Sequence, residues 1–384
     1  MTDFPAPLTS LREEDRLLQG MVLDFARREV APHVSAMDVE GAMRSHIVRG
    51  LFELGVMGVE VPEEFGGAGS PFFSAIIVVE ALATVDPSVS VLVDVQNTLV
   101  QNTILRAGST EQKARYLPRL CADWVGSYAL SEPGSGSDAF GLQTLARRDG
   151  AGYVLSGSKL WITNAAESEL FIVFATVDAS LGHRGITAFL IERGTPGFSV
   201  GAKEDKLGIR ASSTCPLVLD EVRLGPEQVL GEVGKGYLEA MHTLNEGRIG
   251  IGAQMVGIAQ AALDAAVAHT RERKQFGRPL IDFQAVQFQL AEMRTDVELA
   301  RLLVYNAARL KDAGEPIAGP AAMAKLRASE VAERVASQAV DLLGGVGFTR
   351  EYPVEKLYRD AKIGKIYEGT SNMQLLTIAK GLIG

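Results

Sequence analysis

A single carboxylate near the C-terminal end of the chain is the first candidate for chemistry. Glu368 lies in the stretch KIYEGTSNMQ, residues 365–374, and is followed directly by Gly369. Thr370 or Ser371 could instead cap a helix that continues through the apolar residues after them, and the stretch would then be a helix start. Taken alone, this short stretch favours the helix start.

Other reactive groups have little support in the sequence. The five histidines form no HExxH pair, and no GxSxG sequence is present. Cys121 and Cys215 are far apart, so they offer neither a zinc spacing nor a disulfide framework. No metal site is predicted, and a carboxylate remains the best candidate for a reactive group.

Two stretches in the middle of the chain have the residue types of a cofactor site. YALSEPGSGSD, residues 128–138, offers hydroxyl groups and a glycine-rich backbone that could cradle a flavin ring or a pyrophosphate. It lacks the GxGxxG and GxxxxGK[ST] patterns, and an ordinary Gly/Ser turn is the alternative. In KLWITNA, Trp161 and Thr163 would share one face of a strand, where they could cover an aromatic cofactor or lie in a β core.

Three stretches in the last third of the chain combine charge with glycine. RERKQFGRPLIDFQ, residues 271–284, concentrates arginine and lysine. These cations could grip a phosphate, or they could lie at the solvated end of a helix, where its dipole favours them. LNEGRIGIGAQ, residues 244–254, opens a helix whose small residues permit close packing, and GGVGFTREYPVEK, residues 344–356, is another glycine-rich turn.

The elements that must position these stretches change character twice along the chain. Residues up to about 125 favour helices, one of which is predicted from Leu11 to Val30 and ended by Pro32. Residues 126–235 favour strands, including two around Ser156-Gly157-Ser158. Strands do not alternate with helices, which argues against a doubly wound parallel sheet.

From residue 236 onward the helical period returns. One long helix, with Asp282 as a candidate cap, is predicted from a seam of apolar residues spaced three and four apart: Phe283, Val286, Leu290, Met293, Val297, Ala300 and Val304. A second runs from about Ala318 to Leu343. Seams of this kind are typical of a helical-bundle core.

Composition excludes some classes of protein. The chain has 384 residues and a net charge of −9, which argues against a general nucleic-acid binder. The most apolar stretch, VSVLVDVQNTLVQNTIL, is interrupted by polar residues, so no membrane span is expected. The N-terminal residues lack the pattern of a signal peptide, and a cytoplasmic location is therefore expected.

The joint order of these stretches resembles the acyl-CoA dehydrogenase family over nearly the whole chain, with the short/branched-chain (2-methylacyl-CoA) members the most similar. The resemblance rests on IGIRASSTCPL (207–217), LNEGRIGI (244–251), YNAARL (305–310), GGVGFTREYPVEK (344–356) and RDAKIGKIYEGTSNMQL (359–375). It implies an α+β multidomain fold: an N-terminal α-helical domain (1–125), a middle β-barrel or sandwich domain (126–235) and a C-terminal four-helix-bundle domain (236–384).

The resemblance also implies a site that binds FAD and an acyl-CoA substrate. Glu368 matches the family's catalytic base. A subset of the family carries its base at the position of Gly247, which is not acidic here. The positions that match FAD contacts are Tyr128, Leu130, Ser131, Gly136, Ser137, Trp161, Thr163, Arg273, Phe276, Gln284, Asp341, Leu342, Gly344, Gly345, Thr370 and Asn372. The positions that match substrate contacts are Ser137, His183, Tyr237, Asn245, Arg248 and Gly369.

The implied reaction is the α,β-dehydrogenation of a short or short-branched acyl-CoA to the trans-2-enoyl-CoA. A carboxylate removes the α-proton, and the flavin accepts the β-hydrogen as hydride. The family further implies an electron-transfer flavoprotein as partner and a homotetramer in which Arg273, Phe276, Gln284 and residues 341–345 reach the FAD of a neighbouring subunit. Four alternatives stay open: an acyl-CoA oxidase, a straight-chain enzyme, an enzyme for carrier-protein thioesters, and a non-catalytic binder on the same fold.

Overall fold

A computed structural model describes residues 8–383. Its first part is helical. The α-helices are α1 (Glu13–Phe25), α2 (Val34–Glu40), α3 (Ser45–Glu53), α4 (Phe72–Ala83), α5 (Pro87–Asp94), α6 (Asn102–Ala107) and α7 (Thr110–Ala122). Helix α7 begins with a reciprocal capping box formed by Ser109 and Gln112.

The prediction that Pro32 ends the first helix is wrong. After α1 the chain continues as a π-helical segment, Ala26–Val30, and a 3-10 turn, Ala31–His33, which leads into α2. Pro32 lies in the first turn of that 3-10 segment. A proline is tolerated in a first turn because its missing N–H would have no intrahelical partner there, so the chain changes its helix type without stopping.

The middle of the chain forms the sheet. Its strands are β1 (Val125–Ala129), β2 (Leu145–Asp149), β3 (Gly152–Thr163), β4 (Ser168–Thr176), β5 (Ile186–Glu192), β6 (Phe198–Val200), β7 (Thr214–Leu224) and β8 (Val229–Leu230). The strand order is β6-β7-β3-β2-β4-β5-β8, and β1 pairs in parallel with β4. Strand β2 joins two antiparallel halves, because it pairs with β3 along its length but with β4 only at Leu145 and Thr176.

The two halves of the sheet pack face to face. Side chains from β3 and β7 share one apolar cluster with side chains from β4 and β5, including Leu155, Leu217, Phe171 and Phe189. The opposite faces of β4 and β5 join the large apolar core that the helices also build. Strands β4 and β5 are therefore covered on both sides, which explains why they are apolar along most of their length.

The two strands predicted around Ser156-Gly157-Ser158 are a single strand, β3. The pairing of β3 with β7 shifts register between Leu155 and Gly157, as a bulge requires. Gly157 has a φ of 149°, and an added Cβ would lie 2.8 Å from the Cα of Thr144. The glycine therefore lets the strand pass close to its neighbour instead of turning back.

The last part of the chain is helical again. It contains α8 (Gly236–Glu272), a short hairpin of β9 (Lys274–Gln275) and β10 (Arg278–Pro279), α9 (Gln284–Asp312), α10 (Ala318–Leu343), α11 (Val354–Ala361) and α12 (Ser371–Ile383). The three long helices pack on one another, and α12 packs along α10. The bounds predicted for α10 are confirmed. The three-domain plan is confirmed as a fold, and its boundaries at 125/126 and 235/236 stay a prediction.

The predicted seam of α9 is largely confirmed, since Leu290, Met293, Val297, Ala300 and Val304 are buried. The prediction that Asp282 caps this helix is wrong. Asp282 ends a 3-10 turn, Phe283 occupies the N-cap position, and no side chain caps the helix there.

One helix among residues 8–383, α8, is long and apolar enough to cross a membrane, and 67% of its most apolar window is buried inside the protein.

Candidate active site

Glu368 lies on a loop with an unusual backbone. The loop connects the 3-10 turn Lys362–Lys365 to α12, and Glu368 has a φ of 50° while Gly369 has a φ of 85°. A left-handed conformation is uncommon outside glycine, so the surrounding structure must hold Glu368 in it. Thr370 immediately precedes α12, so both interpretations of this stretch apply: the carboxylate and the helix start are neighbours.

Two buried side chains hold the carbonyl groups of this loop. The Gln374 Nε2 donates to the carbonyl oxygens of Glu368, at 3.0 Å, and Gly369, at 2.8 Å. The Lys325 Nζ donates to the same Gly369 carbonyl at 2.6 Å. Because these donors come from α12 and α10, the left-handed turn is fixed from two helices.

The residue before Glu368 ties the loop to a third helix. The Tyr367 hydroxyl donates to the Gln254 side-chain oxygen on α8, and the Gln254 Nε2 donates to the carbonyl of Pro87 at 2.7 Å. Gln254 has no solvent exposure. The loop therefore has little freedom to swing, which keeps the Glu368 carboxylate at a defined place.

The Glu368 carboxylate faces a glycine of α8. Its Oε2 is buried and has no hydrogen-bond partner among the described residues, and a Cβ added at Gly247 would lie 2.9 Å from this oxygen. Burial raises the pKa of Glu368, and the charges of Lys325 and Arg248 oppose that rise. A carboxylate with a raised pKa and a free oxygen is suited to accept a proton.

A second buried carboxylate, that of Asp94 on α5, faces α8 at Gly250, one turn after Gly247. A Cβ added at Gly250 would overlap the Asp94 Oδ1, which also accepts from the Thr98 hydroxyl at 3.0 Å. Burial, followed by the charge of Glu368, raises the pKa of Asp94 well above its ordinary value. Glycines spaced three residues apart thus leave room on α8 for two neighbouring carboxylates.

The substrate-binding candidates on α8 lie beside this loop. The Arg248 Nη1 donates to Asn245 Oδ1 at 2.8 Å, and the Arg248 Nη2 is 4.0 Å from where a Cβ of Gly369 would be. Burial lowers the pKa of Arg248, and the charge of Glu368 opposes that shift. The Nε of Arg248 is buried without a partner among residues 8–383, so this guanidinium retains an unused donor.

Two other substrate-binding candidates meet each other. The rings of His183, on an exposed turn before β5, and Tyr237, at the start of α8, pack edge to face with centroids 4.7 Å apart. Phe140 contacts the same tyrosine with a centroid distance of 6.3 Å. The three rings join the loop after β1 to α8.

The candidate flavin loop and Trp161 are neighbours. The backbone N–H of Leu160 donates to the carbonyl of Ser131 at 2.9 Å, which places the loop against β3. Trp161 has a φ of 63° and is 57% exposed, whereas Ile162 after it is buried and Thr163 is half-buried. The indole is therefore offered at the surface and is not part of a β core.

A buried ion pair between Lys159 of β3 and Glu132 holds the loop after β1 in place. The Lys159 Nζ donates to Glu132 Oε1 at 2.7 Å and to the carbonyl of Leu130 at 3.0 Å. The Glu132 carboxylate also accepts from the backbone N–H groups of Gln143, at 2.7 Å, and Thr144, at 3.1 Å. Burial lowers the pKa of Lys159 to about 8, although the charge of Glu132 opposes that shift.

The other candidates lie at the end of β1 and the loop after it, at the β9–β10 hairpin, at the end of α10 and at the start of α12. Tyr128 and Leu130 are buried at the end of β1, while Gly136 and Ser137 are exposed on the loop after it. Arg273, Phe276 and Gln284 are exposed on and beside the β9–β10 hairpin. Exposed positions at the end of α10 hold Asp341, Gly344 and Gly345 beside the half-buried Leu342, and Asn372 is exposed at the start of α12.

Lys325, Asp94 and Gln374 are absent from the predicted site. Lys325 lies on the apolar face of α10, between the buried Ala321 and Ala328, and Asp94 interrupts the most apolar stretch of the chain. A charged residue within an apolar segment could have indicated that both belong to the site, because ionised groups are seldom fully buried without a partner.

Comparison with known proteins finds similarity over nearly the whole chain. Three protein-family models match it: the acyl-CoA dehydrogenase N-terminal domain at residues 12–123, the middle domain at 127–222 and the C-terminal domain at 234–383. The "Probable short/branched chain specific acyl-CoA dehydrogenase" of Dictyostelium discoideum is 52% identical over 99% of this chain and 92% of its own length. The mitochondrial short/branched chain specific acyl-CoA dehydrogenase of Rattus norvegicus is 51% identical over 98% and 87%.

Solved structures share the fold. Butyryl-CoA dehydrogenase from Megasphaera elsdenii superposes with a TM-score of 0.96 at 42% identity, over 98% of this chain and 99% of its own. A chain solved in work on the electron transferring flavoprotein of Acidaminococcus fermentans gives 0.96 at 41%, over 98% and 99%. A glutaryl-CoA dehydrogenase from Mycobacterium smegmatis, in complex with FADH2, gives 0.92 at 34%, over 97% and 95%. The chain therefore belongs to the acyl-CoA dehydrogenase family of oxidoreductases.

Proposed function

We propose that this protein desaturates a short or short-branched acyl-CoA between its α and β carbons, with Glu368 as the base. The observation that carries the proposal is the Glu368 carboxylate itself: one of its oxygens is buried and unpartnered, its pKa is raised, and three helices hold its loop. The short/branched chain specific relatives and butyryl-CoA dehydrogenase support the substrate class. These substrates belong to fatty acid and branched-chain metabolism.

The residues present fit FAD as the cofactor. Trp161 offers an exposed indole beside the loop of Ser131, and Thr163 is half-buried next to it. The Tyr128 hydroxyl and the Ser371 Oγ, beside Thr370, are buried without partners among the described residues. Unpaired buried polar atoms are costly, so a polar ligand that bonds to them would stabilise this site. FAD, when bound, would supply the acceptor for the β-hydrogen and its electron pair.

The protein contributes a base, its orientation and its electrostatic surroundings. Glu368 takes the α-proton onto its carboxylate, the electron pair of that C–H bond forms the new C=C bond, and the β-hydrogen leaves as hydride. Arg248 and Lys325 place positive charge near the carboxylate and keep a fraction of it ionised despite burial. An acyl chain packed over Glu368 would exclude water and strengthen these interactions.

The partners of the reaction are also part of the proposal. An electron-transfer flavoprotein would reoxidise the flavin, and the similarity to the Acidaminococcus fermentans chain supports that assignment. A homotetramer would bring Arg273, Phe276 and Gln284 to the FAD of a neighbouring subunit. The rat relative is named as mitochondrial; the cytoplasmic location expected for this chain stays a prediction.

The test is anaerobic flavin reduction. Purified yellow protein is mixed separately with 2-methylbutyryl-CoA, isobutyryl-CoA, butyryl-CoA and octanoyl-CoA, and the bleaching of its visible absorbance is timed. Bleaching should be fastest with a short chain, and Glu368→Gln should keep FAD and bind the thioester but lose at least about 10²-fold in rate.

Each other outcome points to a different function. Undiminished bleaching in Glu368→Gln would place the base elsewhere. A yellow protein that none of the thioesters bleaches would favour a carrier-protein thioester or a non-catalytic binder. Bleached protein that oxygen reoxidises as fast as turnover would indicate an oxidase.

A further inference from the structure

A buried lysine lies directly behind the loop that carries Glu368. Lys325 has no solvent exposure, and its Nζ makes one hydrogen bond among the described residues, to the Gly369 carbonyl at 2.6 Å. Its neighbours on the same face of α10, Ala321 and Ala328, are both buried. An ammonium group at such a position is costly unless nearby groups compensate its charge.

Glu368 is the group that compensates this charge. Burial lowers the pKa of Lys325 to about 7, the charge of Glu368 raises it, and the charge of Arg248 lowers it further. The relation is reciprocal, because Lys325 is the leading group that opposes the burial-induced rise in the pKa of Glu368. The two residues come from α10 and from the loop before α12, so the fold and not the local sequence brings them together.

Four other titratable groups face the Glu368 carboxylate. Arg248 on α8 is the second cation, and Asp94 on α5 is a second carboxylate. Tyr128 on β1 and Tyr367 on the loop have raised pKa values, mainly through burial, and remain uncharged at neutral pH. The proton affinity of Glu368 therefore depends chiefly on burial and on two cations, Lys325 and Arg248. Of these two cations, Lys325 is the one that also bonds to the loop.

We propose that Lys325 is a positioning residue for the reaction. Its hydrogen bond fixes the Gly369 carbonyl, and with it the left-handed turn that presents Glu368, while its charge keeps the Glu368 carboxylate ionised at a lower pH than burial alone would allow. The proposal rests on the proposed role of Glu368 as the base.

The chain offers a matched control for the hydrogen bond without the charge. The Gln374 Nε2 donates to the same Gly369 carbonyl at 2.8 Å and is equally buried, but it is neutral. Lys325→Met removes a donor and a charge, whereas Gln374→Met removes an uncharged amide that donates to the Gly369 and Glu368 carbonyls. A difference between the two variants therefore measures the effect of the charge.

The experiment is the pH profile of anaerobic flavin reduction by butyryl-CoA in the wild type, Lys325→Met and Gln374→Met. Glu368 must be ionised to act, so the rate rises with pH through its pKa. Loss of the nearby cation raises that pKa, and the midpoint of the acidic limb should move up by about one pH unit or more in Lys325→Met. Below the wild-type midpoint the rate should then fall about tenfold. Gln374→Met should be slower with an unmoved midpoint.

A Lys325→Met profile with the wild-type midpoint, or equal shifts in both variants, would overturn the proposal. Thermal unfolding and the flavin spectrum show first whether each variant is folded. If Lys325→Met is not, Lys325→Gln retains an amide donor without the charge, and the same upward shift is expected. A wild type that no thioester reduces, measured beside Glu368→Gln, would overturn the proposed function and this inference together.

Discussion

Gly247 leaves the space that the Glu368 carboxylate occupies. A Cβ at this position would lie 2.9 Å from the Glu368 Oε2 and 2.7 Å from a methyl carbon of Leu99. Both distances are shorter than ordinary packing allows, and Leu99 is itself buried. Adding a single methyl group at residue 247 would therefore press directly on the carboxylate of Glu368, the proposed base.

Gly247→Ala is expected to displace the carboxylate and slow flavin reduction by about 10²-fold, because small misplacements of a reacting group have effects of that size. The measurement is the anaerobic reduction rate, with FAD content and melting temperature determined alongside. Gly319→Ala on α10 is the control, since nothing lies within 4 Å of its added Cβ. Equal rates in Gly247→Ala and the wild type would show that the base has another conformation in solution.

Sequence reasoning found Glu368 and Arg248 but not Lys325 and Asp94, which lie close to the Glu368 carboxylate. The resemblance predicted Glu368 as the base, because the stretch around it is continuous in the chain. Lys325 and Asp94 lie far from it in sequence, and only the packing of α5, α8 and α10 places them nearby. Pairings between distant residues follow from helix packing, which a pattern in one sequence does not encode.

The loop after β1 and the strand β3 act as one unit. Lys159 and Glu132 are both buried, and together they bond to the backbone at Leu130, Gln143 and Thr144. Removing one member of such a pair leaves an uncompensated buried charge on the other. The loop that carries Ser131 and Ser137 therefore depends on the buried Lys159–Glu132 ion pair for its position.

Lys159→Met is expected to destabilise the protein by about 3–5 kcal/mol and to loosen FAD, because Glu132 loses its cation. Denaturant unfolding and the FAD content after gel filtration measure the two effects. Arg44→Met, which breaks the exposed pair of Arg44 with Glu40, should cost less than about 1 kcal/mol. Similar losses in both variants would mean that the buried pair does not hold the loop.

Elements with a strong period could be predicted, and their irregularities could not. The bounds of α10 and the buried seam of α9 follow from apolar spacing. The bulge at Gly157 and the continuation past Pro32 depend on what the chain packs against, such as Thr144 beside Gly157. Gly157 and Pro32 do interrupt regular structure, but they produce a bulge in β3 and a change of helix type instead of a turn and a helix end.

At the scale of the molecule, the most exposed large apolar side chains of residues 8–383 lie in the C-terminal helical part. Phe276, on the turn of the β9–β10 hairpin, is 93% exposed, and Phe348 after α10 is 86% exposed. The Arg278 guanidinium of the hairpin lies over the ring of Phe283, at the start of α9, 4.0 Å from its centroid. Exposed aromatic groups of this kind are enriched where another protein or a ligand covers them.

Phe276→Ser is expected to weaken both self-association and FAD retention, because the proposed tetramer places this ring against a neighbouring subunit and its cofactor. Light scattering over a dilution series measures the mass against the 41.1 kDa chain, and the visible spectrum measures FAD. Leu17→Ser on α1 is the control, since Leu17 is also exposed, at 69%, but lies outside the proposed contact. If the variant keeps the wild-type mass and FAD content, Phe276 is not part of the subunit interface.

Strands β4 and β5 have a consequence for how the protein can be divided. One face of this pair packs on the rest of the sheet, while the other, including Ile172, Phe174 and Leu190, belongs to the core that the helices share. Helices from both ends of the chain contribute to that core. Cut out alone, the strands would expose an apolar face that needs those helices as its cover. The middle region therefore cannot be swapped alone for that of a relative. A chimeric protein must also take the helices that pack on β4 and β5 from the same relative.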